Sequence, residues 1–315
     1  MISELEDSAL VSILMNCYNC ERYLEEAVQS VLNQTYQNWE LILWDNQSKD
    51  SSSKVYKKFN DTRLKYFFSD KHTDLGGARA KAFKYLKGDY VAVLDSDDLW
   101  LPDKLEKQLK LFSNPEVGIV ISDTLFFDKN NERPLYGKTF PPEGYVFKEL
   151  LTRYFVSLET VVFRKKFLDK LDYGFDPEFS FIADFDLVLR VARISKLAIS
   201  KEILAKWRVH QESDSWKSSI SFSIEKENWI KKQIKIDDKF AKDFEKEIKA
   251  LHNKNYLLIA IYSLSLGFRK KALRYILKTN LSNFFQIAVL VLCFIPFSGY
   301  FLSYMQKRRI RRLMR

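Results

Sequence analysis

Between Ala9 and Leu94 the chain alternates short apolar runs with segments of helical spacing. ALVSILMN, WELILWD, LKYFF and YVAVL are separated by CERYLEEAVQSVLNQ, NQSKDSSSKVYKKF and GARAKAFKYLK. In the first of these spacers Leu24, Ala27, Val28, Val31 and Leu32 recur at the i, i+3, i+4 interval that gathers them on one helical face. Repeated strand–helix alternation with strands this apolar is what a mainly parallel sheet flanked by helices requires. The expectation is an α/β, doubly wound domain.

Beyond Gly118 the pattern loosens. VGIVISDTLFF reads as a candidate pair of strands, NNERPLYGKTFPPEGY as a loop rich in turn residues, and SLETVVF as a further strand region. DFDLVLRVARIS reads as a helix and ILAKWRV as a closing strand. From about Ser221 the sequence is helical in character, through the amphipathic EKENWIKKQIKIDDKFAKDFEKEIKALHNK. These readings divide the chain into a domain over 1–220, a helical extension over 221–280, and an apolar segment with a basic tail over 281–315. With 315 residues, 46% of them apolar, there is material for one large core and an appendage, which excludes a disordered or fibrous chain.

The fourth apolar run ends in a charge problem. GDYVAVLDSDDLW puts Asp95, Asp97 and Asp98 at the carboxyl end of a strand, the end at which open α/β sheets bind ligands. Asp95 and Asp97 point the same way in an extended segment. Carboxylates this close raise one another's pKa unless a cation or hydrogen-bond donors offset them. Hard oxygen ligands select Mg2+ or Mn2+, ions that bridge one or two carboxylates to a substrate's phosphates. An acidic cap for a helix starting near Pro102 is the alternative, and it accounts for one of the three. Asp45 and Asn46 follow WELILW in the same manner, as acceptors for a base N–H or a ribose hydroxyl or as ordinary turn residues.

VSILMNCYNCERYLEEAVQSVLNQTYQNWELILWDNQSKD and GGARAKAFKYLKGDYVAVLDSDDLW together resemble the nucleotide-sugar-binding half of the family 2 glycosyltransferases, as found among bacterial cell-surface polysaccharide enzymes. The likeness runs from about Leu10 to Ser213. It implies a GT-A fold and inverting transfer of a sugar from a nucleotide diphosphate donor to a hydroxyl of a glycan or lipid-linked acceptor, with Mg2+ or Mn2+ on the diphosphate. Carried over residue by residue, it makes Tyr18, Asp45, Asn46, Arg79, Asp95 and Asp97 donor-site residues, with Asp95 on the ribose. Asp97, Asp98 and His210, the last in WRVHQES, become the metal set, with a diphosphate contact or an ordinary surface or core histidine as the alternatives for His210, and Arg208 a charge that offsets the leaving group. Asp184, in FIADFDLVLR, matches the general base on the acceptor hydroxyl. Helix N-terminal charge complementarity is the alternative role for Asp184 and for Asp186, the next candidate.

The chain departs from the family pattern at Asn46, Ala80 and Ala183, which leaves the base open, with uridine the default. Ala183, where an acid is usual, also keeps open a catalytically inactive nucleotide-sugar-binding scaffold. A sugar-phosphate nucleotidyltransferase would need a glycine-rich phosphate loop, and MNCYNCERY has no glycine.

Cys17 and Cys20 in CYNC have redox or zinc half-site spacing, yet the third cysteine, Cys293, is solitary. The expectation is two small residues in a strand-end loop of a reduced compartment. The acidic start MISELEDSAL lacks the order of a secretory signal, so the catalytic part is expected to be cytosolic. Lys307, Arg308, Arg309, Arg311, Arg312 and Arg315 supply six of the ten net positive charges, a local device that suits a membrane surface and gives no sign of nucleic acid. Phe284 to Leu302 is uncharged and interrupted by Pro296 and Gly299, which suits a peripheral or monotopic attachment on the cytoplasmic side of the membrane, with a buried helical hairpin capping the first domain or a dimer interface as the alternative. An oligomer is left open.

Overall fold

The computed structural model describes residues 9–210, 219–295 and Gly299. They form two compact units, one of residues up to 150 with 154–209, the other of 151–153 with 210 onward. In the first unit the elements are β1 (Val11–Cys17), α1 (Leu24–Leu32), β2 (Trp39–Asp45), β3 (Leu64–Phe68), α2 (Leu75–Phe83), β4 (Tyr90–Val93), β5 (Leu99–Trp100), β6 (Val117–Phe127), β7 (Glu132–Pro134), β8 (Val162–Arg164), α3 (Ala183–Ala192) and β9 (Lys196–Arg208).

The sheet runs β3-β2-β1-β4-β8-β6-β9-β5, with β7 on the free part of β6. Its first four strands are parallel, and β8 then enters antiparallel to both β4 and β6. The sheet is therefore mixed, which corrects the expectation of a mainly parallel one. The sequence of β8 carries no mark of direction, because only three residues pair and all are apolar or long. VGIVISDTLFF is one strand of eleven residues, not two.

Val11, Ile13 and Met15 pack with Leu24, Ala27, Val28 and Val31 of α1 in one buried cluster, while the alternate residues of β1 face the other side. Strand β1 is followed by β2 on one flank, and β4 returns on the other. Chain direction out of the sheet thus reverses beside β1, the place where open α/β sheets leave a crevice at the carboxyl ends of the strands. Cys17, Asp45 and Asp95 stand at or just beyond those ends.

The second unit holds α4 (Ser219–Ile236), α5 (Glu245–Ser265), α6 (Arg269–Ile276) and α7 (Phe284–Leu292). Its core joins Ala260 and Leu264 of α5, Ala272 and Ile276 of α6, and Val289 and Cys293 at α7. Glu227 of α4 is buried between His252 and Asn255 of α5, at 2.8 Å from each. Of the apolar run Phe284–Leu302, nine residues form α7, and no helix among the described residues is long and apolar enough to cross a membrane. Pro296 and the basic tail from Lys307 lie outside the described residues.

Candidate active site

The loops after β1 and β2 are built by short side chains. Asp45, buried at the end of β2, accepts from the Ser48 amide at 2.7 Å through Oδ1 and from the Tyr66 hydroxyl at 2.6 Å through Oδ2. Burial, and then this bond, push the Tyr66 hydroxyl above its ordinary range. Asn46 is also buried, and its amide is committed to Thr73: Nδ2 donates to the Thr73 carbonyl at 2.7 Å and Oδ1 accepts from its amide at 3.2 Å. In this arrangement Asn46 shapes the loop ahead of α2. Gln47 beside it has φ 70°, a left-handed conformation of the kind that clusters at ligand sites. Tyr18 is exposed, its ring 4.4 Å from that of His72, whose Nδ1 lies 2.8 Å from the Asn46 carbonyl.

Arg79 projects from α2 under the end of β4. Its Nη2 donates to Asp95 at 2.7 Å, its side chain is nearly buried, and it lies over the Phe175 ring. The Asp95 side chain keeps 36% of its surface. Burial in the crevice raises the Asp95 carboxyl, Arg79 opposes that, and the charges of Asp97 and Asp184 add to it. Asp184 therefore shares an electrostatic neighbourhood with Asp95, although they are far apart in sequence. Gly76 makes the approach possible: a Cβ there would lie 2.2 Å from the Phe179 carbonyl oxygen, in the segment that leads into α3.

Asp184 and Asp186 share the first turn of α3 and meet different surroundings. Asp186 is fully buried and bound by Arg190 at 2.6 and 3.0 Å, while Arg190 also donates to the carbonyls of Tyr173 and Gly174. Asp184 is half-buried and accepts from the Tyr154 hydroxyl at 2.9 Å. Burial and the Asp184 charge push the Tyr154 hydroxyl well above its ordinary range, so it stays a donor. One carboxylate is locked in a structural ion pair, and the other is oriented and reachable.

Asp97 and Asp98 part company as well. Asp97 is half-buried, whereas Asp98 is buried and accepts from the Arg208 amide at 2.8 Å. Arg208, at the end of β9, also donates through Nε to the Asp97 carbonyl at 2.8 Å and through Nη2 to Glu26 at 2.7 Å. Arg208 thereby ties the acidic loop to β9 and α1, a use that WRVHQES alone does not reveal. Burial, then Asp97, Glu159 and Asp95, push Asp98 well above the carboxylate range. Burial also raises Glu159, which sequence reading missed, and burial pulls Lys104 down to about 7.

A three-ligand metal set of Asp97, Asp98 and His210 is not what the described residues form: among them no group of three His, Cys, Asp or Glu could hold a metal ion. Asp98 is buried and serves the Arg208 amide. Asp97 remains a carboxylate in the crevice. A divalent cation that takes one carboxylate and completes its shell with substrate phosphates fits that arrangement.

The CYNC loop differs from the expectation of two independent small residues. Cys17 and Cys20 are joined by a disulfide. Only the position of CYNC at a strand end was legible beforehand, because spacing is compatible with thiols, metal or disulfide.

Residues 12–172 match the family described as Glycosyl transferase family 2. The chain is 30% identical over 225 residues to the UDP-Glc:alpha-D-GlcNAc-diphosphoundecaprenol beta-1,3-glucosyltransferase WfgD of Escherichia coli, covering 71% of this chain and 85% of that one. In three dimensions it is similar to residues 1–349 of Staphylococcus aureus TarS, with a TM-score of 0.67, 17% identity, and coverage of 96% of this chain and 90% of that one. The mannosyltransferase PcManGT of Pyrobaculum calidifontis, solved with GDP-Man and Mn2+, has a TM-score of 0.61 at 17% identity, covering 94% of this chain and 84% of that one. The fold is of the GT-A kind, with a mixed sheet flanked by helices.

Proposed function

The chain belongs to glycosyl transferase family 2 and is a glycosyltransferase that uses a nucleotide-sugar donor, and we propose that it transfers the sugar with inversion, using Asp184 as the general base. The observation that carries this reading is the division of labour in α3. Asp186 is consumed by Arg190, while Asp184 is half-buried, oriented by Tyr154 and electrically coupled to Asp95. In the reaction the acceptor hydroxyl gives its proton to the Asp184 carboxylate as its oxygen bonds to the anomeric carbon. The bond from that carbon to the diphosphate oxygen breaks on the opposite face. Asp184 contributes as a base aligned on the attacking atom.

At the donor end Asp45, buried and held by Ser48 and Tyr66, is assigned to the base, the exposed Tyr18 ring to stacking, and Asp95, held by Arg79, to the ribose. Asp97 is the residue that would hold Mg2+ or Mn2+, an ion that neutralises charge on the departing diphosphate. The surplus of carboxylates over cations around Asp95 favours such an ion. Uridine is the proposed base and a lipid-linked glycan the proposed acceptor, supported by the substrates in the name of the E. coli relative.

A lipid-linked acceptor also suits the second unit. Phe284, Ile287 and Val291 are exposed at helical spacing along α7 and Phe294 in the turn after it, with Phe284 86% exposed, and Lys270, Lys271, Arg274 and Lys278 are exposed on and beside α6. Apolar and basic groups together fit the headgroup boundary of an anionic bilayer, from the cytoplasmic side where donors are made.

The test is product stereochemistry. UDP-sugars with an α-linked donor bond, incubated with Mn2+ and a polyprenyl diphosphate-linked acceptor, should give a β-linked product by proton NMR. An α-linked product would contradict direct displacement, and equal turnover with EDTA would remove the cation from the reading.

A further inference from the structure

The chain passes from β1 to the turn before α1 through Cys17-Tyr18-Asn19-Cys20, and the disulfide closes a ring around Tyr18 and Asn19, with the two Cα atoms 5.7 Å apart. Asn19 has φ 52°, in the left-handed region that short polar residues tolerate best. The ring touches the neighbouring loop at several points. Cys17 Sγ is 3.6 Å from the Ser48 hydroxyl, which accepts from the Asn19 amide at 2.9 Å, and the Ser48 amide in turn donates to Asp45 at 2.7 Å. The covalent ring is thus linked through Ser48, by two hydrogen bonds, to Asp45, the residue assigned to the base.

The two sulfurs are unequal. Cys17 is buried at the end of β1, whereas Cys20 is partly exposed at the surface turn. The turn is also held without the bridge: the Lys49 amide donates to Asn19 Oδ1 at 2.8 Å, the Cys20 amide to Ser52 Oγ at 2.9 Å, and the Glu21 amide to Asp50 at 3.0 Å. Opening the bridge therefore releases Tyr18 from a closed ring while β1 and α1 stay in place.

We propose that Cys17 and Cys20 form a reversible dithiol–disulfide switch on nucleotide binding, with the closed form the tighter binder. The proposal rests on the reading of Tyr18 as a donor-site residue. A thiolate of an external dithiol attacks Cys20 Sγ, the S–S bond breaks, and Cys17 leaves as a thiolate that takes up a proton. The second thiol of the reductant then attacks the mixed disulfide, freeing Cys20 as a thiol and leaving as a cyclic disulfide. Two electrons and two protons pass to the protein, and an oxidised dithiol reverses both steps. The closed ring has fewer conformers to lose when the nucleotide binds, so Tyr18 is preorganised in that form.

Linkage makes the idea quantitative. If the disulfide form binds a nucleotide more tightly by some factor, the nucleotide favours the disulfide by the same factor. A tenfold preference moves the midpoint of the couple by about 30 mV towards more negative potential.

The test uses the full chain equilibrated in buffers of reduced and oxidised dithiothreitol, trapped with iodoacetamide and read by peptide mass at Cys17 and Cys20. Midpoints are measured with no nucleotide, with UDP and Mg2+, and with GDP and Mg2+. Calorimetry gives nucleotide affinity for the oxidised chain, the reduced chain and a Cys17→Ser, Cys20→Ser variant whose fold is checked by circular dichroism. The expected result is affinity lower by about tenfold in the reduced chain and the variant, with a matching midpoint shift that Tyr18→Ala abolishes. Affinities within twofold across the three forms, or no bridge formed in oxidised dithiothreitol, would overturn the switch and leave the donor reading standing. Absence of binding by either nucleotide in every form would overturn the donor reading and the switch with it.

Discussion

Asp98→Asn isolates what the acidic cluster costs the folded chain. The carboxyl is buried and accepts the Arg208 amide at 2.8 Å, a bond that the asparagine Oδ1 can also make, so shape and hydrogen bond survive while the ionisable group goes. Burial, then Asp97, Glu159 and Asp95, hold Asp98 well above the ordinary range. A carboxyl raised in this way keeps its proton in the folded chain after the unfolded chain has lost its own. Stability therefore falls as pH rises from the unfolded pKa, near 4, towards the folded one.

Each pH unit over which that one proton is retained costs about 1.4 kcal/mol. Lys104 sets the upper limit of the window, because burial pulls it down to about 7. Above that pH it is deprotonated only in the folded chain and adds stability as pH rises, the opposite sign. Thermal unfolding of the full chain at pH 5, 6 and 7, without nucleotide or metal, reads the effect. The wild-type midpoint should fall across the window and that of Asp98→Asn should fall less, leaving the variant the more stable at pH 7. Parallel lines for the two proteins, or a variant less stable at pH 7, would refute the reasoning.

Asp97→Ala should lose the gain in UDP affinity that Mn2+ gives wild type, while Asp98→Asn keeps it; calorimetry with and without the cation separates them, and equal enhancement in both variants would move the cation elsewhere. Asp186→Asn removes the carboxylate partner of the nearly buried Arg190 and should destabilise by roughly 3 kcal/mol. Transfer per folded molecule should stay within a few-fold, and a larger loss of turnover would return Asp186 to the list of bases. Phe284→Ser with Phe294→Ser should weaken binding to phosphatidylglycerol vesicles by at least tenfold, since each buried phenylalanine contributes about 1.5–3 kcal/mol. Flotation unchanged by the pair would place the membrane contact outside α7 and the turn that follows it.

The parallel half of the fold was legible because each strand is a short apolar run and each helix repeats on its own period. WELILWD and LKYFF coincide with β2 and β3 to the residue. The antiparallel entry of β8 was not, since strand direction depends on partners distant in sequence. Within the site, the crowding of carboxylates at the end of β4 was visible as a pattern, but the separate fates of Asp97 and Asp98, and of Asp184 and Asp186, depend on which side chain meets Arg208, Arg190 or Tyr154. NNERPLYGKTFPPEGY read as loop, and its one strand, β7, is held near the buried Asp123, which accepts from the Tyr136 and Gly137 amides at 3.0 and 3.1 Å. That carboxylate stands inside an apolar strand, the one local signal that could have found it.

Rate of sugar transfer by Asp184→Asn, set beside its affinity for UDP, tests the central claim most directly. The substitution keeps an acceptor for the Tyr154 hydroxyl and removes the group that takes the proton. UDP affinity should remain within twofold of wild type while transfer falls by roughly 10²–10⁴-fold, the range for loss of a general base. Transfer within a few-fold of wild type at unchanged affinity would contradict the assignment of Asp184 and the mechanism built on it.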